Sequence, residues 1–208
     1  QRTTLAYALC VMLMRYLQAM SAFTQLWGGA MAMTRAAYVK YAVAQLWVEN
    51  VVDDCSLSAL LQVRGAKVQL CPGALLHTDA INHSQPVWRA WMDRQVLFLK
   101  FCMPGQWKLL GLMCVMMALP MVCAGLALLG LVVGVGSGAG VLLAIFWLAA
   151  LVSALHLWRG LLSKPVPLWR WCVAFADAVR MFTAVYWQSL KAWSIVWHGI
   201  RYEVGKGG

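Results

Sequence analysis

The sequence predicts an α/β head followed by an α-helical membrane region, and three observations carry that expectation. Up to about residue 106, polar and apolar residues mix, and turn signals separate short helical and alternating runs. From residue 107 on, two long apolar spans, about 109–131 and 141–158, come close to the roughly 20 residues needed to cross a bilayer core. A later run, about 171–191, sets charge on one face and aromatic residues on the other. The chain therefore divides into residues 1–106 and 107–208.

Within the head, residues 3–20 form an apolar-rich helix interrupted by Arg15 and Gln18. Gly28 and Gly29 punctuate the chain, AMAM after them reads as a short strand, and Thr34 caps a helix through Ala36 and Tyr38. Ser56 to Arg64 reads as a further helix ended by Gly65, and Lys67 to Cys71 alternates as a strand turned by Pro72-Gly73. In the second part, VVGVGSGAG suits the turn of a helical hairpin. Lys108 flanks one end of the hairpin, and Arg159, Lys164 and Arg170 follow the other, so the positive-inside rule places that side in the cytoplasm. KPVPLWRW interrupts the helical pattern. Beyond it Asp177, Arg180, Ala184, Gln188 and Lys191 recur on one face, which suits an interfacial helix, with a third crossing as the alternative. The tail WHGIRYEVGKGG is basic and is expected to stay cytoplasmic.

Of the 208 residues 62% are hydrophobic, well above the share in soluble chains, and 17 Lys and Arg stand against 7 Asp and Glu. The basic residues are scattered and the aromatics sit in apolar company, so the balance suits anionic lipid headgroups and not nucleic acid. Seven cysteines form no CxxC pair, which argues against a zinc knuckle or disulfide framework and fits a reducing compartment. Residue 1 is Gln and the first residues read as the middle of something, so an N-terminal part of a longer protein is expected to precede them.

Two adjacent acids, Asp53 and Asp54, stand in WVENVVDDCSLSALLQVRG, where acids are otherwise scarce. Just before an apolar-periodic run, such acids take orphan helix N–H groups and complement the dipole. In the sharper reading one caps while the other is a general base for an attacking hydroxyl. Arg94 lies in VWRAWMDRQ among Trp residues, either a headgroup anchor or a cationic clamp on a diphosphate. His77, Asp79 and His83 match no compact metal signature and read as a polar loop. No DxD, GxGxxG, P-loop or GxSxG motif occurs.

WGGAMAMTRAAY, then WVENVVDDCSLSALLQVRGAKVQLCPG, then WMDRQVLFLKFCMPGQW, then a hairpin and WHGIRYEV follow one another in the chain. In that order and spacing they resemble the C-terminal part of membrane-bound family 2 and family 21 glycosyltransferases, especially bacterial ceramide glucosyltransferase-like enzymes. The resemblance implies the end of a GT-A (nucleotide-diphospho-sugar transferase) domain followed by a transmembrane hairpin. It implies an inverting transfer from a nucleotide-sugar donor to a lipid acceptor at the cytoplasmic face of the bacterial inner membrane. Carried over, Asp54 is the general base with Asp53 its neighbour, and Arg94 contacts the leaving diphosphate. Trp91 and Gln95 complete a QxxRW-like segment in which Trp stands for the first Gln and Gln for the final Trp. Trp27, Gly28 and Gly29 match the loop on the acceptor side, where a backbone must approach closely. The family's divalent cation, Mg or Mn, is held by a DxD that is absent from this chain. The donor half is thus expected outside these residues, and the chain alone is expected to be inactive. The competing expectation is a non-catalytic membrane protein or subunit with a small cytoplasmic head.

Overall fold

A computed structural model describes residues 2–20, 23–74, 84–162, 164–197 and 199–204. The chain is built almost wholly of helices: α1 (Arg2–Ala19), α2 (Arg35–Lys40), α3 (Val43–Glu49), α4 (Asp53–Val63), α5 (Gln85–Cys102), α6 (Pro104–Val132), α7 (Gly138–Arg159) and α8 (Leu168–Lys191). Among the described residues the one sheet is a hairpin of β1 (Ser194–Trp197) and β2 (Ile200–Glu203), paired antiparallel from Ser194↔Glu203 to Trp197↔Ile200. This corrects the expected α/β head, and no GT-A fold is seen among the described residues. Both expected strands are irregular segments. A strand needs a neighbour for its backbone N–H and C=O groups, and among the described residues neither run has one. Met33 from AMAM and Val68 from the Lys67–Cys71 run instead lie against a small core of Val43, Leu57 and Leu61 on α3 and α4. Among the described residues paired strands arise only in the tail, where Gly199 at φ 79° supports the turn and Ile195 is buried.

The helical expectations fare better, and local chemistry sets their ends. Thr34 is the N-cap of α2, its Oγ1 accepting the Ala37 N–H at 3.2 Å. Gly65, at φ 63°, follows the end of α4. Ser137 caps α7 by accepting the Gly140 N–H at 3.1 Å. Two helices, α6 and α7, are long and apolar enough to cross a membrane, and only 11% of each apolar window is buried inside the protein. Their exposed faces carry large apolar side chains such as Leu126, Leu142 and Phe146. A soluble chain rarely leaves such a surface to water.

The main core lies where α1, α5, α6, α7 and α8 meet, around Trp171, Ala174, Met92, Cys10 and Val185. Helix α8 lies over one end of the α6–α7 hairpin. Its C-terminal part meets the start of α6, where Trp107 stacks on Tyr186 and donates from Nε1 to Ser189 Oγ at 3.0 Å. Its N-terminal part joins the same core as Leu155 and Trp158 at the end of α7. Gly111 permits the crossing, since a Cβ there would stand 2.2 Å from the Tyr186 hydroxyl. Helix α1 closes the other side, with Tyr7 stacked on Trp88 and Tyr16 on Trp158.

Lys100 ties α5 to the end of α8. Its ammonium donates to the carbonyls of Ser189 (2.6 Å), Ala192 (2.7 Å) and Leu190 (3.3 Å). The Trp193, Phe101 and Trp107 rings lie 5.0–5.6 Å from it. These carbonyls are orphaned by the helix end, and a cation suits that terminus. Desolvation pushes the Lys100 pKa below the usual lysine value. Replacing Lys100 by Met keeps the stem and removes the donors, and is expected to cost about 1–2 kcal/mol after discounting for partial exposure. Thermal unfolding in detergent reads this as a lowered midpoint.

Candidate functional site

The start of α4 organises the candidate site. Its N-cap, Val52, has no side-chain acceptor, so the first-turn acids take over. Asp53 Oδ1 accepts the Asp54 N–H at 2.8 Å, and Asp54 Oδ1 accepts the Cys55 N–H at 2.7 Å. Neither acid is the N-cap itself, which corrects the expectation that one of the two caps the helix. Trp47 Nε1 donates to the Asp53 carbonyl at 3.0 Å and pins the turn from α3.

The Gly-Gly loop folds over these acids. Gly28 N–H donates to Asp54 Oδ2 at 2.8 Å, and one residue pair back the Leu26 N–H donates to the fully buried Ser58 Oγ at 2.9 Å. A Cβ on Gly28 would lie 3.3 Å from Asp53 Oδ1 and from Asp54 Oδ2, and 3.5 Å from Asp53 Oδ2. Space, not backbone torsion, favours glycine here. Gly29 is constrained by the neighbouring indole, since a Cβ there would come within 2.8 Å of Trp27. Three carboxylate oxygens thus surround the Gly28 backbone. Asp54 has both oxygens engaged with N–H donors, each keeping one further lone pair, while Asp53 is exposed and engages only Oδ1. Gly28→Ala is expected to loosen the loop and cost about 1 kcal/mol, because the methyl must displace charged oxygens by a few tenths of an ångström. Amide hydrogen exchange at residue 28 would rise if this account holds.

The site stands beside the start of α6. Val52 and Cys55 pack with Cys102 and Met103, the residues that lead into Pro104, and the Gln25 amide hydrogen-bonds the Gln106 side chain. Cys55 donates to the Cys102 sulfur. That bond, then burial, pushes the Cys55 thiol up, while accepting it lowers Cys102.

Arg94, Gln95 and Trp91 are placed elsewhere. Arg94 donates to the Ala90 carbonyl one turn back at 3.4 Å, and among the described residues no ion pair or hydrogen bond links it to either acid. It lies two turns, about 12 Å of helix rise, from the Cys102 end of α5 that touches α4. Trp91 packs against the main core, edge-on to Tyr7 at 5.1 Å. Gln95 lies on the same turn of α5, half-buried. The structure brings Trp27, Gly28 and Gly29 to Asp53 and Asp54, and leaves the QxxRW-like residues apart from them. His77, Asp79 and His83 lie outside the described residues.

Ser58, Trp47, Gln25 and Gln106 contribute to the site without having been singled out in the sequence. The only available signal for Ser58 was a polar residue on the apolar face of α4. Asp54 is engaged by two N–H groups, and no three His, Cys, Asp or Glu among the described residues stand close enough to share an ion. Compared with known protein families, with curated proteins and with solved structures, the chain matches none.

Proposed function

We propose that this chain is the acceptor side of an inverting, lipid-directed glycosyltransferase, in which α6 and α7 span the membrane with Asp53 and Asp54 at its cytoplasmic face. The observation that carries the reading is the Gly28–Asp54 tether beside the start of α6, where a lipid hydroxyl at headgroup level can reach a carboxylate. The order and spacing of the resembling segments support the same reaction. In it Asp54 takes the hydroxyl proton, held in place by the two N–H bonds through which it also orders the acceptor loop. The hydroxyl oxygen then displaces the nucleotide diphosphate from the anomeric carbon in one step. Arg94 meets the departing diphosphate only if the donor spans the distance along α5, so its role is subordinate in this proposal. Donor binding, with its divalent cation, is supplied outside these 208 residues. Basic flanks at Lys108 and Arg159 support the cytoplasmic, inner-membrane side.

The test is an assay of bacterial membranes containing the chain within its native reading frame, given labelled nucleotide sugars. A labelled lipid of inverted anomeric configuration is expected in the organic phase. The isolated 208-residue chain is expected to transfer none, and transfer by it alone would overturn the division proposed here. One observation favours a second, non-catalytic reading. Both Asp54 oxygens already serve backbone N–H groups, as a purely structural staple for a small head on a membrane hairpin would. On that reading no variant of Asp54 changes any transfer activity.

A further inference from the structure

We propose that the groove between α6 and α8, with Arg180 at its rim, binds one anionic glycerophospholipid of the surrounding bilayer. Its phosphate sits at Arg180 and an acyl chain runs along α6. This rests on the reading of α6 and α7 as a membrane hairpin and is independent of the sugar-transfer reaction.

Two cavities meet at one guanidinium. Below α8 lies an apolar groove of about 520 Å³, walled by Ala118, Met121 and Val122 of α6 and by Val179, Ala184 and Trp187 of α8. Above it lies a smaller cleft of about 190 Å³ whose lining includes Thr3, Gln85 and Asp177. Arg180 lines both. A polar recess joined through a cation to an apolar groove on a membrane helix has the shape of a lipid, with a headgroup end and a chain end. The groove volume falls within the range of ordinary ligand sites.

The chemistry at the junction favours an anion. Arg180 has a 64% exposed side chain, and Asp177 Oδ1 stands 3.8 Å away, too long for a strong pair on the surface. The guanidinium therefore keeps donors for a phosphate, which it can meet with two parallel bonds. Within the groove, Thr183 Oγ1 is buried with the Cys114 thiol beside it and no nitrogen or oxygen partner. Gln188 offers an amide at the same rim, and Trp187 lines the groove with its side chain 66% exposed. A helix from a partner protein would fill the apolar wall but leave the cation and the cleft unused. The net charge of +10 adds a field that draws anionic lipid.

The experiment uses the full chain, extracted in mild detergent and given phosphatidylglycerol or phosphatidylcholine, with bound lipid counted by native mass spectrometry. One phosphatidylglycerol per chain is expected to remain, and phosphatidylcholine is expected to be lost. Arg180→Gln, at an exposed position, should fold normally by circular dichroism and weaken phosphatidylglycerol retention about tenfold. Ala184→Phe fills the groove and should abolish phosphatidylglycerol retention. Equal retention of the two lipids, or wild-type retention in either variant, overturns the proposal. So does a dimer that Ala184→Phe dissociates, since a second copy would then be the occupant. Release of the chain from membranes by alkaline carbonate would overturn the hairpin reading itself. An integral chain that retains no phosphatidylglycerol would sink the lipid site alone.

Discussion

Asp54→Asn is expected to lower sugar transfer by the protein in its native reading frame about 100- to 10,000-fold, the range a general base contributes. Its effect on folding should be small. Asn keeps a side-chain oxygen that can accept either the Gly28 or the Cys55 N–H, and acids near helix starts tolerate Asn at a cost of about 1 kcal/mol or less. The separation between these two magnitudes gives the experiment its force. A staple and a base occupy the same atom positions, yet a staple predicts a stability change without a catalytic one. Asp53→Asn is the matched control. It keeps the oxygen that accepts the Asp54 N–H and alters only an exposed charge, so a smaller loss is expected. If Asp53→Asn abolishes transfer and Asp54→Asn does not, the base is Asp53, acting through the oxygen that no donor engages. Both variants are to be compared at equal membrane abundance, with the product lipid as the readout.

What could be read in the sequence depended on the range of the interaction. Thr34 and Gly65 act on neighbours within four residues, and their roles in starting or following helices were visible from spacing alone. The apolar spans of α6 and α7 were equally plain, because bilayer thickness sets a length that few other structures need. Strands are different. AMAM and the Lys67–Cys71 run alternate correctly, but alternation specifies one face of a strand and not the partner that satisfies its backbone. Met33 and Val68 found a helix pair to cover instead. The tail hairpin went unread for the converse reason: its basic residues pointed only to a cytoplasmic side, while Ile195 buries itself beside α5. At the site, the pairing of Gly28 with Asp54 spans 26 residues, and only the order of segments pointed to it. The distance between Arg94 and the acids depends on which end of α5 meets α4, and that is decided by Cys102 and Met103 packing on Val52, a contact with no local signature.

Trp171→Ala is expected to cause the largest loss of stability. Trp171 is fully buried at the centre of the core that joins α8 to α1, α5 and the hairpin, and truncating such a residue costs about 3–5 kcal/mol in lost burial and residual cavity. For a chain of this length that corresponds to a drop of roughly 10 °C in the thermal midpoint in detergent. The indole also carries a penalty of its own, since Trp171 Nε1 is buried without a hydrogen-bond partner. An unmade bond of this kind costs about 1–3 kcal/mol, so the native state contains a defect that a smaller apolar ring would remove. Trp171→Phe should consequently fall well short of the alanine loss, because the smaller cavity is offset by the removal of the orphan donor. The two substitutions separate volume from polarity at one position. If Phe proves as damaging as Ala, the indole N–H has a partner, and its bond is what fixes α8 across the end of the hairpin. If Phe is close to neutral, packing volume alone holds α8 there, and the groove beneath it depends on Trp171 only through the position of that helix.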